Sequence, residues 1–322
     1  GLDTETIYAL TNIDRWFLEQ VANLVQQEQF IATSKLATIS AAMLKNWKYY
    51  GFTDKRLAIL LRCQEQEVRA KRQEFAIAMQ ANKIDSCAAE FPITTGYFYG
   101  SYGEVCEAVP SNAQKIMVLG SGPNRIGQGI EFDYCCVQAL QSLKELGFTT
   151  IMINCNPATV STDYDIADRL YLEPITVETI LAIVAIEKPI GVLLQFGGQT
   201  PLTIAAELQQ FGVTILGTPL QSITIAEDRL ACRNLLQELT LQHVPNMVAT
   251  TVEDLQRYAK TQLDYPLIAR PSYVLGGKAM EIINNAQQFD EYITKVQMLS
   301  AVFPIILDKY LQQAVEIDVD AI

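Results

Sequence analysis

The sequence predicts an α/β protein with an all-helical N-terminal part. Three observations carry this. Apolar residues recur at steps of three and four through the first ninety residues; from Lys115 onward short, near-continuous apolar runs alternate with helical segments; and glycine-rich turns follow several of those runs. At 322 residues the chain exceeds one ordinary core. It divides into a helical part with its linker (1–110), a sheet domain (111–220) and a third, incomplete unit (221–322).

In "LTNIDRWFLEQVANLVQQ" the residues Ile13, Trp16, Phe17, Val21 and Leu24 form a helical stripe, with Thr11 or Asn12 placed to cap it. "SKLATISAAMLKNWKYYG" repeats the pattern and stops at Gly51, a suitable C-terminal cap. Thr53 opens a third stretch, "TDKRLAILLRCQEQEVRAKRQEF", whose mixed charges suit a solvated face. Residues 1 to about 90 thus read as helices, and 91–114, rich in aromatics, glycine and proline, as an extended linker. Trp47, Tyr49 and Tyr50 beside Gly51 read as exposed rings, either at a subunit contact or in a small core of the helical part.

After residue 115 the runs "KIMVLG", "TTIMINCN", "RLYLEP", "GVLLQFGG" and "VTILGT" predict strands of a parallel sheet covered on both faces. Beyond Thr218, "AEDRLACRNLLQEL" is helical. "YPLIARPSYVLGGKAMEII" reads as strand, glycine loop, strand, and "AVEIDVDAI" at the end as a further strand.

Charge and cysteine content exclude several classes. The net charge is −12, with 11 Lys/Arg against 13 Asp/Glu in residues 1–110 and 13 against 23 afterwards, so no region is a basic surface for nucleic acid. An anionic ligand then depends on a few placed arginines and backbone amides. Seven cysteines without C-x-x-C spacing argue for a reducing compartment, a cytoplasmic setting and no metal knuckle. The long uncharged run "PIGVLLQFGGQTPLTIAA" is broken by Gly-Gly-Gln-Thr-Pro and is no membrane span. The chain starts at Gly1 without Met and stops within an apolar alternation, which reads as a piece of something longer.

Three stretches bear on chemistry. "GSGPNRIGQG" follows a strand as a dinucleotide turn does, but the fingerprint's third glycine falls on Arg125, which fits a nicotinamide cofactor poorly. The turn serves either an anion, beside Asn124 and Arg125, or only the chain's own packing. In "IARPSYVLGGKAMEI" Arg270 ends a strand ahead of a Gly-Gly loop whose amides can close over phosphates; a surface hairpin with a stray arginine is the plain alternative. In "LDKYLQQAVEIDVDA" the backbone after Asp308 can face an adenine edge and Glu316 a ribose, or the segment is simply an amphipathic strand pair. His243, the single histidine, precedes a proline and reads as a loop residue; Asp163 and Asp165 read as turn formers rather than a metal pair.

Together and in order, "LTNIDRWFL", "GPNRIGQGIEFDYCC", "NCNPATVSTDYD", "FGGQTPL" and "RPSYVLGG" resemble the large chain of carbamoyl-phosphate synthetase over essentially all 322 residues. That resemblance implies a helical oligomerisation domain, then a Rossmann-like pre-ATP-grasp sheet that holds no nicotinamide, then the first part of an ATP-grasp fold. It places the chain in the middle of the large chain, leading into the second synthetase half, which phosphorylates carbamate with ATP. The first half makes carboxyphosphate from bicarbonate, a glutaminase small chain supplies ammonia, and the product serves arginine or pyrimidine synthesis.

Residue by residue, the resemblance implies phosphate contacts at Arg229 and Arg270, a loop over the phosphates at Gly276 and Gly277, an adenine hinge at Lys309 and Leu311, and ribose recognition at Glu316. Lys309 is expected to act through its backbone, with its side chain weakly constrained. The implied cofactors are ATP with magnesium or manganese, whose ligands are expected beyond Ile322. The isolated chain is therefore expected not to make carbamoyl phosphate. Two rival readings are an assembly module only and, on the glycine turn alone, a nicotinamide-dependent oxidoreductase.

Overall fold

The structure, a computed structural model, describes residues 2–123, 131–261, 264–271, 280–298, 304–315, 317 and 319. Its described residues fall into two units, one of 2–123 with 131–217 and the other of the described residues from 218 onward.

The first unit opens with helices α1 (Thr4–Thr11), α2 (Arg15–Ala32), α3 (Ala41–Tyr49), α4 (Asp54–Leu61) and α5 (Glu65–Glu74). The cap expected at Thr11 or Asn12 is instead Asp14, whose carboxylate accepts the Trp16 N–H. Asn12 is occupied in ending α1, left-handed at φ 54°, a conformation asparagine tolerates. The third helical stretch is two helices: Arg62 turns left-handed after α4, and Gln64 with Glu67 forms a capping box that starts α5.

On α3 the positions 44, 47 and 48 share one face, so Trp47 is a core residue, 1% exposed, which fits the core reading of that ring and not the subunit-contact one. It packs with Ile31, Leu44, Leu57 and Val68. Tyr49 and Tyr50 point away and are exposed. The stripe of α2 is also exposed, with Trp16 and Phe17 each at 59%.

Next come β1 (Gln80–Lys83), β2 (Tyr97–Ser101), β3 (Lys115–Leu119), α6 (Glu131–Glu145), β4 (Thr149–Ile153), β5 (Arg169–Tyr171), α7 (Val177–Glu187), β6 (Gly191–Leu193), α8 (Gln199–Leu202), α9 (Ala205–Gln210) and β7 (Ile215–Leu216). They build one sheet of order β1-β2-β5-β4-β3-β6-β7. The pairs from β2 to β7 are parallel, and β1 adds an antiparallel edge. All five strands expected after residue 115 are present. Two more come from stretches read as helix and linker, because polar "QANK" carries no apolar alternation to betray β1. The centre is as apolar as a doubly covered sheet requires, with every residue of β3 buried.

A buried charge cluster ties the helices to this sheet. Lys48 on α3 pairs with Asp54 on α4 and with Glu178 on α7; Arg72 on α5 holds Asp54 at 2.9 Å. Glu178 also accepts the Asp54 N–H at 2.7 Å and the Tyr102 hydroxyl at 2.9 Å. Buried charges are tolerated where each finds partners, as these do.

The second unit contains α10 (Leu220–Glu227), α11 (Arg229–Glu238), β8 (Asn246–Ala249), α12 (Val252–Ala259), β9 (Leu267–Pro271), β10 (Glu281–Ile283), α13 (Ala286–Met298) and β11 (Ile305–Lys309). Its sheet, of order β10-β9-β11-β8, is antiparallel throughout. Leu267, Ala269, Ile305 and Leu307 turn one face onto Leu255 of α12 and Phe289, Ile293 and Val296 of α13. The strand expected from Val315 onward does not form among the described residues: Val315, Ile317 and Val319 are exposed and unpaired.

Candidate functional site

The glycine turn lies where β3 ends. Gly122 has φ +75°, and its N–H donates to Asn154 Oδ1 at 3.2 Å. Asn154 Nδ2 donates to Asp133 and Ser161, and Asp133 also accepts from Ser121 and Thr159. These buried groups satisfy one another and hold the turn to the loop after β4.

The chain reverses its direction of strand addition between β3 and β6, the position at which doubly wound sheets bind ligands. Here the turn after β6 fills it. A Cβ on Gly197 would stand 2.5 Å from the carbonyl oxygens of both Leu119 and Gly120. A pyrophosphate has no place against Gly120, and the packing therefore disfavours the nicotinamide reading. Gly197→Ala must move backbone, and we expect it to cost about 1–3 kcal/mol in thermal unfolding. An unchanged melting temperature would show that the two turns are not in contact. Asn124 and Arg125 lie outside the described residues.

In the second unit, Arg270 stands on β9 opposite Ile306, and Asp308 on β11 opposite Ile268. All four share the face turned away from α12 and α13. Arg270 Nη2 meets Asp308 Oδ2 diagonally at 2.7 Å, with the Asp308 side chain only 11% exposed. Among the described residues, Nε of Arg270 and Oδ2 of Asp308 are both buried without a hydrogen bond, so the two groups meet as an ion pair rather than through an aligned bond. A guanidinium has five N–H donors, and this ion pair places it while leaving donors for an anion.

Immediately beyond lies a break in the ladder. Lys309 directs its N–H to Pro245 O at 3.0 Å, and Tyr310 to Pro266 O at 2.9 Å. In an antiparallel pair each residue would receive a bond in return, but proline has no N–H. The carbonyls of Lys309 and Tyr310 therefore receive no ladder bond, and the exposed Leu311 follows after the strand has ended. An acceptor followed two residues later by a donor is the pattern that an adenine edge requires.

The Lys309 side chain is not the loose one expected. Its ammonium binds Asp264 Oδ1 at 2.8 Å and the carbonyls of Asp264 and Tyr265, so it pins the turn before β9. Arg229 opens α11, with its side chain outside the described residues, as are Gly276, Gly277 and Glu316 altogether. The structure thus brings Arg270, Lys309 and Leu311 onto or beside two paired strands.

Sequence reasoning missed Asp308 as the partner of Arg270, and missed Pro245 and Pro266. The signal was the prolines placed just before two apolar runs. His243 sits in a loop with Nδ1 3.2 Å from Val244 O. Among the described residues no group of three His, Cys, Asp or Glu could hold a metal ion, and no helix is long and apolar enough to cross a membrane. All seven cysteines are free.

Three family profiles match the chain in succession: the carbamoyl-phosphate synthetase large chain oligomerisation domain over residues 1–76, the carbamoyl phosphate synthase preATP-grasp domain over 112–225, and the carbamoyl-phosphate synthase L chain ATP binding domain over 228–322. The carbamoyl phosphate synthase large chain of Xylella fastidiosa is 49% identical over all 322 residues, and that of Vibrio cholerae 48%. In both cases the match covers 100% of this chain and 30% of the relative. Among solved structures, the biotin carboxylase domain of a Hydrogenobacter thermophilus 2-oxoglutarate carboxylase superposes on 62% of this chain and 45% of its own, with TM-score 0.48 and 18% identity.

Proposed function

We propose, for a chain that belongs to the carbamoyl-phosphate synthase large-chain family, that it carries the adenine and phosphate contacts of the synthetase half that phosphorylates carbamate. The observation that supports this most directly is the end of β11, where Pro245 and Pro266 leave the Lys309 and Tyr310 carbonyls without ladder donors beside an arginine with a free Nε.

In this reading the Lys309 carbonyl accepts from the adenine amino group and the Leu311 N–H donates to the ring. Arg270, oriented by Asp308, and Arg229 meet the phosphates; Gly276 and Gly277 close over them, and Glu316 takes the ribose hydroxyls. A carbamate oxygen attacks the γ-phosphorus, the bond to the ADP oxygen breaks, and carbamoyl phosphate and ADP result. The chain's part is to position these groups and neutralise charge, which is most of what phosphoryl transfer asks of a protein. Magnesium or manganese, bound with the nucleotide, would supply further charge neutralisation.

The parent enzyme works with a glutaminase small chain in the cytoplasm, and the helices of residues 1–110 self-associate. The exposed stripe of α2 supports the last point.

The test is thermal unfolding of the 322-residue chain with ATP, GTP and NADH. ATP alone raises the melting temperature, by mass action on the folded state. Leu311→Pro removes one N–H at an exposed position and weakens ATP binding by about tenfold, one charge-free hydrogen bond with its desolvated partner being worth about 1–2 kcal/mol. Equal shifts with GTP, or no effect of Leu311→Pro, would refute the hinge.

A further inference from the structure

A second site lies in the first unit and uses none of the residues proposed to contact the nucleotide. Where α3 and the segment after it approach the carboxyl ends of β2 and β5, a cleft of about 350 Å³ opens, at the small end of ligand pockets, which run about 300–1,000 Å³. Its walls include Tyr49, Phe52, Tyr99, Tyr102 and Met79, with the Glu173 carboxylate among them.

The charges of this cleft do not balance. Lys48 is fully engaged by Asp54 and Glu178, and Arg72 completes that group from behind. Glu173 has no cation: among the described residues its carboxylate accepts only the Gly100 N–H, at 2.6 Å. Burial pushes its carboxyl above the ordinary range although that N–H opposes the shift, the condition of an acid lacking a counter-charge. The approach is built in, because a Cβ on Gly100 would stand 2.5 Å from Met79 Sδ and 3.1 Å from Glu173 Oε1. Aromatic walls with one unpaired carboxylate are the surroundings that favour an organic cation.

We propose that this cleft binds a small organic cation of the alkylammonium class, its charge on Glu173 and its carbons against the tyrosine rings. An inorganic anion is disfavoured, since the cleft's one lysine is already paired with two acids. The site makes no use of the nucleotide contacts, so it stands or falls independently of them.

The experiment is titration calorimetry of the 322-residue chain with butylammonium chloride, tetramethylammonium chloride and, as an uncharged analogue, 1-butanol. At least one of the two cations should bind saturably and 1-butanol should not. Glu173→Gln keeps an acceptor for Gly100 and relieves the buried charge, so it folds, yet it should weaken cation binding at least about tenfold, or 1.4 kcal/mol. Tyr99→Leu, on a half-exposed ring, should weaken it severalfold. No saturable binding of either cation, butanol binding as tightly as butylammonium, or unchanged affinity in Glu173→Gln would each overturn the proposal.

Discussion

Under the proposed function, Arg270→Ala in the full-length parent is expected to slow carbamate-dependent phosphoryl transfer at least about tenfold and to leave bicarbonate-dependent ATP hydrolysis in the other half intact. A charge-assisted contact to phosphate is worth on the order of 2 kcal/mol, and each 1.36 kcal/mol on the barrier is about a factor of ten. The substitution also strands Asp308, a nearly buried acid, and lost stability could imitate lost chemistry. The pair Arg270→Ala with Asp308→Ala separates the two: stability returns in the double variant and the rate does not. Arg270→Lys is expected to recover the rate only in part, because an ammonium lacks the planar fork that holds Asp308 and a phosphate together. Equal loss of both partial reactions, or full recovery of rate in the double variant, would make Arg270 structural.

Asp308→Asn tests the orienting role from the other side. The guanidinium keeps its charge but loses the ion pair that places it, so the Michaelis constant for ATP should rise more than kcat falls. A pure fall in kcat would count against orientation of the ground-state complex.

What the sequence made legible follows from periodicity. β3 and β4 turn apolar after one and two polar residues and β6 has no polar side chain, as strands of a doubly covered parallel sheet do, and such runs stand out whatever the tertiary context. β1 escaped because its four residues are polar and its pairing with β2 is antiparallel and at an edge. The sequence left Trp47 open between core and contact because neighbours in sequence are not neighbours on a helix: three ring-bearing residues occupy 47, 49 and 50, and only the first lies on the buried face with Leu44.

The proposed site is legible where one residue would carry the chemistry and illegible where register would. Arg270 at a strand end before a glycine loop is visible in one line of sequence. That it faces Asp308 requires β9 and β11 to pair with Arg270 opposite Ile306, a relation across dozens of residues that no local pattern encodes. The open carbonyls of Lys309 and Tyr310 likewise depend on which strand residues face Pro245 and Pro266. Glu173 gave no signal, since an acid before a proline usually marks a turn, and only the approach of Gly100 makes it an acid without a cation.

The largest effect on stability is expected at Glu187, the last residue of α7. Its side chain is fully buried and receives three donors: Lys115 Nζ at 3.0 Å, Arg169 Nε at 2.6 Å and the Tyr171 hydroxyl. Lys115 begins β3 and Arg169 begins β5, so one carboxylate fastens a helix to two strands of the sheet. Lys115 is itself only 2% exposed and has one other acceptor, the Ser111 carbonyl at 3.0 Å. Removing the carboxylate leaves a buried ammonium and a mostly buried guanidinium without a counter-charge, a situation that costs about 3–5 kcal/mol. For a unit of this size that is a fall in melting temperature on the order of 10 °C. Glu187→Gln keeps the volume but only one acceptor oxygen, and sets its amide NH2 against either Lys115 or the Arg169 and Tyr171 donors, so its cost combines the lost charge with a lost acceptor. Combining Glu187→Gln with Lys115→Met removes one stranded cation and should recover a good part of the loss, while Lys115→Met alone, which leaves the acid with Arg169 and Tyr171, should cost less than Glu187→Gln. If Glu187→Gln lowers stability by less than about 1 kcal/mol, the value of an ordinary exposed ion pair, the carboxylate does not fasten the helix and the apolar packing of Ile180 and Ile183 on the same helix holds it instead.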